Sequence, residues 1–389
     1  MLTTLCLCSL TTVGFLGDPP PSGGTAEEVF AGLPAPVGLE FAQDGRMWIS
    51  FAGPPVAPGA GALGHFYPFQ SNPAIDLVIE NYPNACNPST GECAGAWHIS
   101  LLENPDFPQM NSVILTAGGP PIPELSRIKV YSMDPCVLEN QNNFDPSAGP
   151  DVGGVMTTEE TINVFSVLPN AVDTNLYSSV FVLERDSFFI VDAGANAVLQ
   201  YSLKDDPQLS VFAELPDVGK GVQSVPTRII HVPNDGAPDS LAFIVTELTG
   251  APFTAGTSTM WGFSNDGTRT ALATGLTTVV DCEYEPDTHS VLFCSAGSFD
   301  FNDGIFAPGT GSIGRVNLAD GTAETLLDNL WMPAGIERFG DDIYFSTFYA
   351  GGVFKFDPTD SGVPGDLNND GCVDGMDLAI VLGAWTNCP

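Results

Sequence analysis

Basic residues are scarce in this chain: 11 Lys and Arg stand against 47 Asp and Glu in 389 residues, with four His, and the formal net charge is -36. Such a surface repels phosphate backbones and anionic headgroups, which excludes nucleic acid and anionic membranes as partners. No apolar run is long enough to span a bilayer in a mature protein, so no transmembrane segment is expected. There is no CxxC pair and the His are scattered, which argues against structural zinc. A Ser-His-Asp arrangement, a GxSxG elbow, a phosphate loop and a dinucleotide fingerprint are all missing, so common hydrolase and nucleotide chemistry has no motif to rest on. The acidity itself reads as solubility in a saline, calcium-containing medium.

What the chain has in quantity is hydrophobic residues (43%), with 42 Gly and 33 Pro, a composition of many short strands and turns rather than long helices. The stretch from Val225 to Tyr284 shows the unit. Four β-rich runs, Thr227 to Val232, Leu241 to Thr246, Ser258 to Phe263 and Thr268 to Thr274, are separated by Pro, Gly, Asn and Asp and predict one antiparallel sheet. Recurrence of such a unit about every 50 residues is the mark of propeller blades. The groups fall at 36 to 83, 93 to 167, 176 to 215, 226 to 274, 278 to 328 and 334 to 357. The last group lacks an outer strand, and the N-terminal run around Val29 can supply it by pairing with Gly352 to Asp357, which removes the open edge. The expectation is an all-β, six-bladed β-propeller over 25–358, similar to NHL and gluconolactonase-like folds, or seven blades if 134–160 hides strands.

Flanking segments point outward from the cell. Residues 1–24 carry a short apolar run ended by GDPPPSGG, which reads as a signal peptide and leader, although no Lys or Arg precedes it. Nine cysteines fit an oxidising compartment. Cys282 and Cys294 flank a predicted hairpin turn and Cys86 and Cys93 bracket a short loop, so each pair is within reach of a disulfide. A secreted or cell-surface location is expected.

Candidate chemistry lies in three places. After the second strand of each blade comes a small-residue loop ending in Gly, such as Ala52-Gly53, Ala193-Gly194 and Thr249-Gly250. Such a residue either lets a ligand come close or merely fits a crowded turn. These loops present Asp192, Asn196 and Glu247, with Asp300, Asn302 and Asp303 in DFNDG, oxygen donors suited to a hard cation. Aligning the first strands after PVGL, TTVV and PAGI puts Glu40, Asp281 and Glu337 at one level near the axis, where they repel unless a divalent cation or water lies between them, or unless they point between blades onto backbone amides. The third place is the tail, 365–389, joined by the linker 359–364. GDLNNDGCVDGMDL places Asp366, Asn368 and Asp370 at positions 1, 3 and 5 of a calcium loop, Gly371 at 6, the Cys372 carbonyl at 7, Asp374 at 9 and Asp377 at 12, followed by an apolar run suited to an exiting helix.

Two resemblances follow from these motifs. VPT, ELTGAPF and TGLTTVVD, with DAGANAVLQY at Asp192 to Tyr201, resemble the ScyD/ScyE family of exported bacterial propellers over residues 27 to 357. That resemblance implies a binding or scaffold protein with an unknown small-molecule or protein ligand on its face, and no agreed catalytic activity. The tail resembles a type I dockerin repeat in its short form, with GDLNxDG and a terminal GAWxxCP. It implies Ca2+ binding and attachment to a surface or cohesin-like receptor, although only one repeat is present where dockerins carry two. The alternative is a metal-dependent lactonase or hydrolase, since gluconolactonase-type propellers hold a divalent metal with a Glu, two Asn and an Asp. This chain offers no clear pair of inner-strand Asn and no well placed base.

Overall fold

The computed structural model describes residues 26–53, 61–70, 73–82, 84–86, 93–102, 112–118, 127–132, 156–204, 208–219, 221–233 and 240–358, and in the tail only 373, 375, 376 and 378–380. The chain forms an all-β propeller of antiparallel sheets, five with four strands and one with five. The four-stranded blades begin, from the axis outward, with Pro36–Phe41, Leu176–Val182, Pro226–His231, Val279–Glu285 and Pro333–Phe339. The five-stranded sheet contributes Cys93–Leu102 to the axis and adds the short strand Ala85–Cys86 at its inner side. These six innermost strands lie side by side in chain order, and Pro333–Phe339 packs back against Pro36–Phe41.

Closure is made by the N-terminus, as the sequence led us to expect. Glu27–Phe30 is the outer strand of the blade that begins at Pro333, pairing Glu27 with Lys355, Glu28 with Phe354 and Phe30 with Val353. The pairing covers the edge of Gly352–Phe356 that would otherwise offer unpaired amides to another chain. A salt bridge from Lys355 to Glu27 at 3.2 Å lies on this outer seam.

The core consists of layers between blades. Second strands such as Leu241–Glu247 (LAFIVTE) are nearly all buried because both faces meet a neighbouring blade, so they read as continuous apolar runs. Outer strands such as Arg269–Leu276 are mostly exposed and correspondingly polar. Between the third-blade strand Ser187–Asp192 and its neighbour, Phe189 packs on Phe243 with ring centroids 4.4 Å apart and on Phe212 at 5.0 Å. Burying each such ring stabilises by roughly 2–3 kcal/mol.

A repeated local device positions the axis. Each of the six innermost strands shifts register near its start, after the first rung in the four-stranded blades, for instance between Pro36 and Leu39, Pro226 and Ile229, and Val279 and Asp281, and after the second in Cys93–Leu102. The residue preceding the strand is left-handed at Ala35, Val225, Thr278 and Met332 (φ 54, 55, 42 and 48°). This turns its carbonyl toward the amide of the loop after the second strand: Ala52, Leu248, Ala296 and Phe348 donate to Ala35, Val225, Thr278 and Met332 at 2.9–3.0 Å. The small residues of those loops are therefore explained by a crowded turn. A Cβ on Gly351 would strike the Leu33 backbone, and one on Gly194 would meet Asp173 and the Asn175 amide.

Two expectations need correction. Cys282 and Cys294 are both free and buried. The ladder pairs Cys282 with Phe293 and Cys294 with Asp281, a one-residue offset that sends the two thiols to opposite faces of the sheet. Cys282 lies in the layer shared with the preceding blade and Cys294 in the layer shared with the following one. By contrast Cys86 and Cys93 are directly opposite in the ladder, although their side chains lie outside the described residues. The second correction concerns DFNDG. It is a small hairpin, Phe299–Asp300 with Ile305–Phe306, whose Asp300 accepts from the Asn302 amide at 2.8 Å and its side-chain amide at 3.1 Å, so the acidic group serves its own turn.

The leader 1–24, the linker 359–364, and the expected ligands Asp366, Asn368, Asp370, Cys372, Asp374 and Asp377 lie outside the described residues. So does most of 134–160. In the tail, Gly375, Met376 and Leu378 to Ile380 are helical. Among the described residues no helix is long and apolar enough to cross a membrane.

Candidate axial site

The loop carboxylates are structural. Asp192 ends a second strand fully buried, and Oδ1 accepts from the amides of Asn175 (2.8 Å), Ala195 (2.9 Å) and Gly194 (3.0 Å) while Oδ2 accepts from the Thr174 hydroxyl at 2.5 Å. Burial raises its pKa, and these donors oppose the rise. Glu247 holds the equivalent place in the next blade, opposite Pro226. It accepts from Ser224 (2.6 Å), the Thr259 amide (2.8 Å) and Trp261 Nε1 (2.9 Å). Asn196, left-handed at φ 53°, accepts from the Val225 amide at 2.8 Å and so ties one blade to the connection leading into the next. These bonds give all three a structural role in holding the loops and connections of the face.

The axis is different. Arg228 falls in the register shift of Pro226–His231 and reaches across the ring. Its Nη1 donates to His98 Nδ1 at 2.7 Å, its Nε stands 3.2 Å from Asp281 Oδ1, and its Nη2 stands 3.4 Å from Glu40 Oε2. His98 Nε2 faces the same Asp281 oxygen at 3.3 Å. A guanidinium only donates, so His98 Nδ1 is the acceptor and Nε2 carries the proton toward Asp281. Burial, then the Arg228 charge, lower the His98 pKa, which keeps the ring neutral. Asp281 also accepts from the Cys282 amide (2.9 Å) and the Ile336 amide of the next blade (3.0 Å). Burial works against the charge on Arg228, but Asp281 and then Glu40 outweigh it and raise its pKa.

Of the three acids aligned from sequence, Glu40 and Glu337 do share a level. Glu40 is paired with Trp48 and Glu337 with Tyr344, each on the same rung of adjacent blades. Asp281 is not their mate; it sits one dipeptide step nearer the strand start, opposite Cys294, and Glu283, opposite Leu292, occupies the shared rung. The signal was present, because Glu40, Glu283 and Glu337 each lie four residues after the first residue of their strand. Burial, then the charge of Glu40, lift Glu283 to about 8. Burial, then Glu283 and Glu40, lift Glu337 well above the usual carboxylate range. Glu337 is 7% exposed and its Oε2 has no hydrogen-bond partner. Among the described residues no three acidic, His or Cys side chains converge closely enough to hold a metal ion.

Arg228 and His98 were missed in the sequence as well. Their signal is rarity: an Arg and a His interrupt inner strands otherwise made of apolar and small residues, in a chain with few of either.

No protein family matches this sequence, and no curated protein does. Among solved structures the chain is similar to one in a nidogen/laminin complex (13% identity, TM-score 0.47, covering 82% of this chain and 91% of that one). It is similar also to a virginiamycin B lyase from Staphylococcus aureus with quinupristin (15%, TM-score 0.45, 85% and 97%). A third is a putative 6-phosphogluconolactonase from Bacteroides uniformis (15%, TM-score 0.43, 82% and 79%). Similarity at this level carries no chemistry from those proteins to this one.

Proposed function

We propose that the chain is a noncatalytic, exported binding or scaffold propeller of six blades, of the ScyD/ScyE type it resembles, held to a surface or assembly through a calcium-binding, dockerin-like tail. The observation that carries the noncatalytic reading is the seat of Arg228. Its guanidinium stands among the axial acids, 3.2 Å from Asp281 and 3.4 Å from Glu40, in the space a divalent metal would need. Asp192 and Glu247, the other ligands a metal-dependent hydrolase would draw on, are held by amides and hydroxyls. Counting the five-stranded sheet as a blade gives six, which agrees with the register shift shared by all six inner strands. Strand Gly352–Phe356 runs away from the loop face that carries the blade connections.

The reading is tested by assaying the full chain against a panel of lactones and sugar acids with calcium, magnesium, manganese or zinc. No turnover is expected. Turnover abolished by EDTA and by Glu337→Gln would establish the hydrolase alternative instead.

A further inference from the structure

Three glutamates share one rung of three consecutive blades, and of these Glu40 is paired with Arg228. Arg228 is committed to Asp281, His98 and Glu40, and no ion pair reaches Glu283 or Glu337 among the described residues. The buried Glu337 Oε2 has no hydrogen-bond partner, and an unsatisfied polar atom in that position is costly to the fold unless something supplies the missing hydrogen bond. A metal ion does not fit the arrangement. Inner-sphere coordination needs several oxygens within about 2.1–2.6 Å of one point, and the axial acids do not converge in that way.

A larger cation that donates hydrogen bonds in several directions does fit. Arg228 shows this one level higher in the same channel, where a single guanidinium bridges Asp281 on one blade and Glu40 on another at 3.2 and 3.4 Å. On the glutamate side the Glu40 side chain is 21% exposed and Glu283 is half-buried, so solvent reaches this level of the axis. The net charge of -36 concentrates cations there.

We propose that the axial channel binds an organic cation, an alkylammonium or guanidinium group, between Glu40, Glu283 and Glu337. The proposal rests on the binding-propeller reading and names the ligand chemistry for it. The group arrives either on a small free amine or as a Lys or Arg side chain of a partner protein, since the carboxylates recognise the N–H donors and the charge rather than the rest of the molecule.

Calorimetry on the full chain tests this, at about pH 8.5 so that the amine is charged and more of the glutamates are ionised. Methylguanidinium and spermidine represent the free cation, and a lysine tripeptide represents the side chain; sodium and calcium are the controls. One site is expected, weakened more than about tenfold in both Glu283→Gln and Glu337→Gln. Glu214→Gln, which removes one exposed charge elsewhere, should bind as the wild type does. Tighter binding of the tripeptide than of the small cations identifies a protein partner, and the reverse identifies a free amine. The near-isosteric Gln variants should melt no lower than the wild type, which separates loss of site from loss of fold. Absence of binding at millimolar concentration, or binding unchanged in both Gln variants, overturns the proposal. Those outcomes leave the noncatalytic reading untouched, whereas EDTA-sensitive turnover breaks that reading without bearing on amine binding.

Discussion

Acidification between pH 7.5 and 5 should destabilise this propeller measurably through His65, in addition to the buried His98 of the axis. His65 lies on Gly61–Phe66, cross-strand from Trp48, 4% exposed, with the Trp48 ring edge-on at 4.8 Å. Neither ring nitrogen has a hydrogen-bond partner. Burial, then the charge of Arg46, bring its pKa from 6.5 down to about 4. The unfolded chain takes up a proton as the pH falls through 6.5, and the folded one does so only near 4, so stability is fully present above 6.5 and is lost on descending toward 4. The full difference corresponds to about 3 kcal/mol, of which about 2 kcal/mol has gone by pH 5. Urea unfolding of wild type and His65→Leu at both pH values isolates the effect, because His98, His231 and the raised glutamates of the axis contribute equally to both proteins and cancel. The wild type should lose about 2 kcal/mol more than the variant. At pH 7.5 the variant should be no less stable, since it removes two unpaired buried nitrogens. Parallel stability profiles for the two proteins would refute the reasoning.

The other predictions concern bonds already described. Asp192→Ala leaves three amides and a hydroxyl without their acceptor and should cost about 3–5 kcal/mol in a urea melt, whereas a loss below about 1 kcal/mol would remove Asp192 from its structural role. Cys282 and Cys294 should both resist a thiol reagent in the native protein and both react once it is unfolded without reductant; a peptide carrying the two in disulfide linkage would contradict the observed register. For the tail, calorimetry should detect a calcium site in the intact protein that disappears in Asp366→Ala while the melting of the propeller stays where it was. A propeller that melts lower in that variant would mean that the two parts are not separate.

Much of the fold was legible because blade strands obey local rules. Val, Ile and Phe runs between Gly, Pro and Asp turns mark four strands at a time, and the need to cover the edge at Gly352–Phe356 pointed to the strand around Val29. Register was not legible. Whether Cys282 meets Cys294, or Asp281 meets Glu40, turns on a single inserted residue in the inner strand, and that residue is fixed by the left-handed connection at Thr278 and by contact with the adjoining blade rather than by the strand's own sequence. The loop acids misled for a related reason. Asp192 and Glu247 look like ligands in sequence, but they accept from backbone amides 17 residues before and 12 residues after them, at Asn175 in a connection and at Thr259 in the next strand. Arg228 could be seen as an oddity in PTRIIH, while its meeting with His98, 130 residues distant, is a product of ring closure.

On the reading proposed above, the Arg228 guanidinium and not a metal ion neutralises the upper axial acids. Crystals grown at neutral pH with manganese, measured for anomalous scattering, test it most directly. Density for the Arg228 side chain is expected between His98, Asp281 and Glu40 with no anomalous peak there. A manganese peak within about 2.5 Å of two or more of Glu40, Asp281, Glu283 and Glu337, with Arg228 displaced from Asp281, would contradict it.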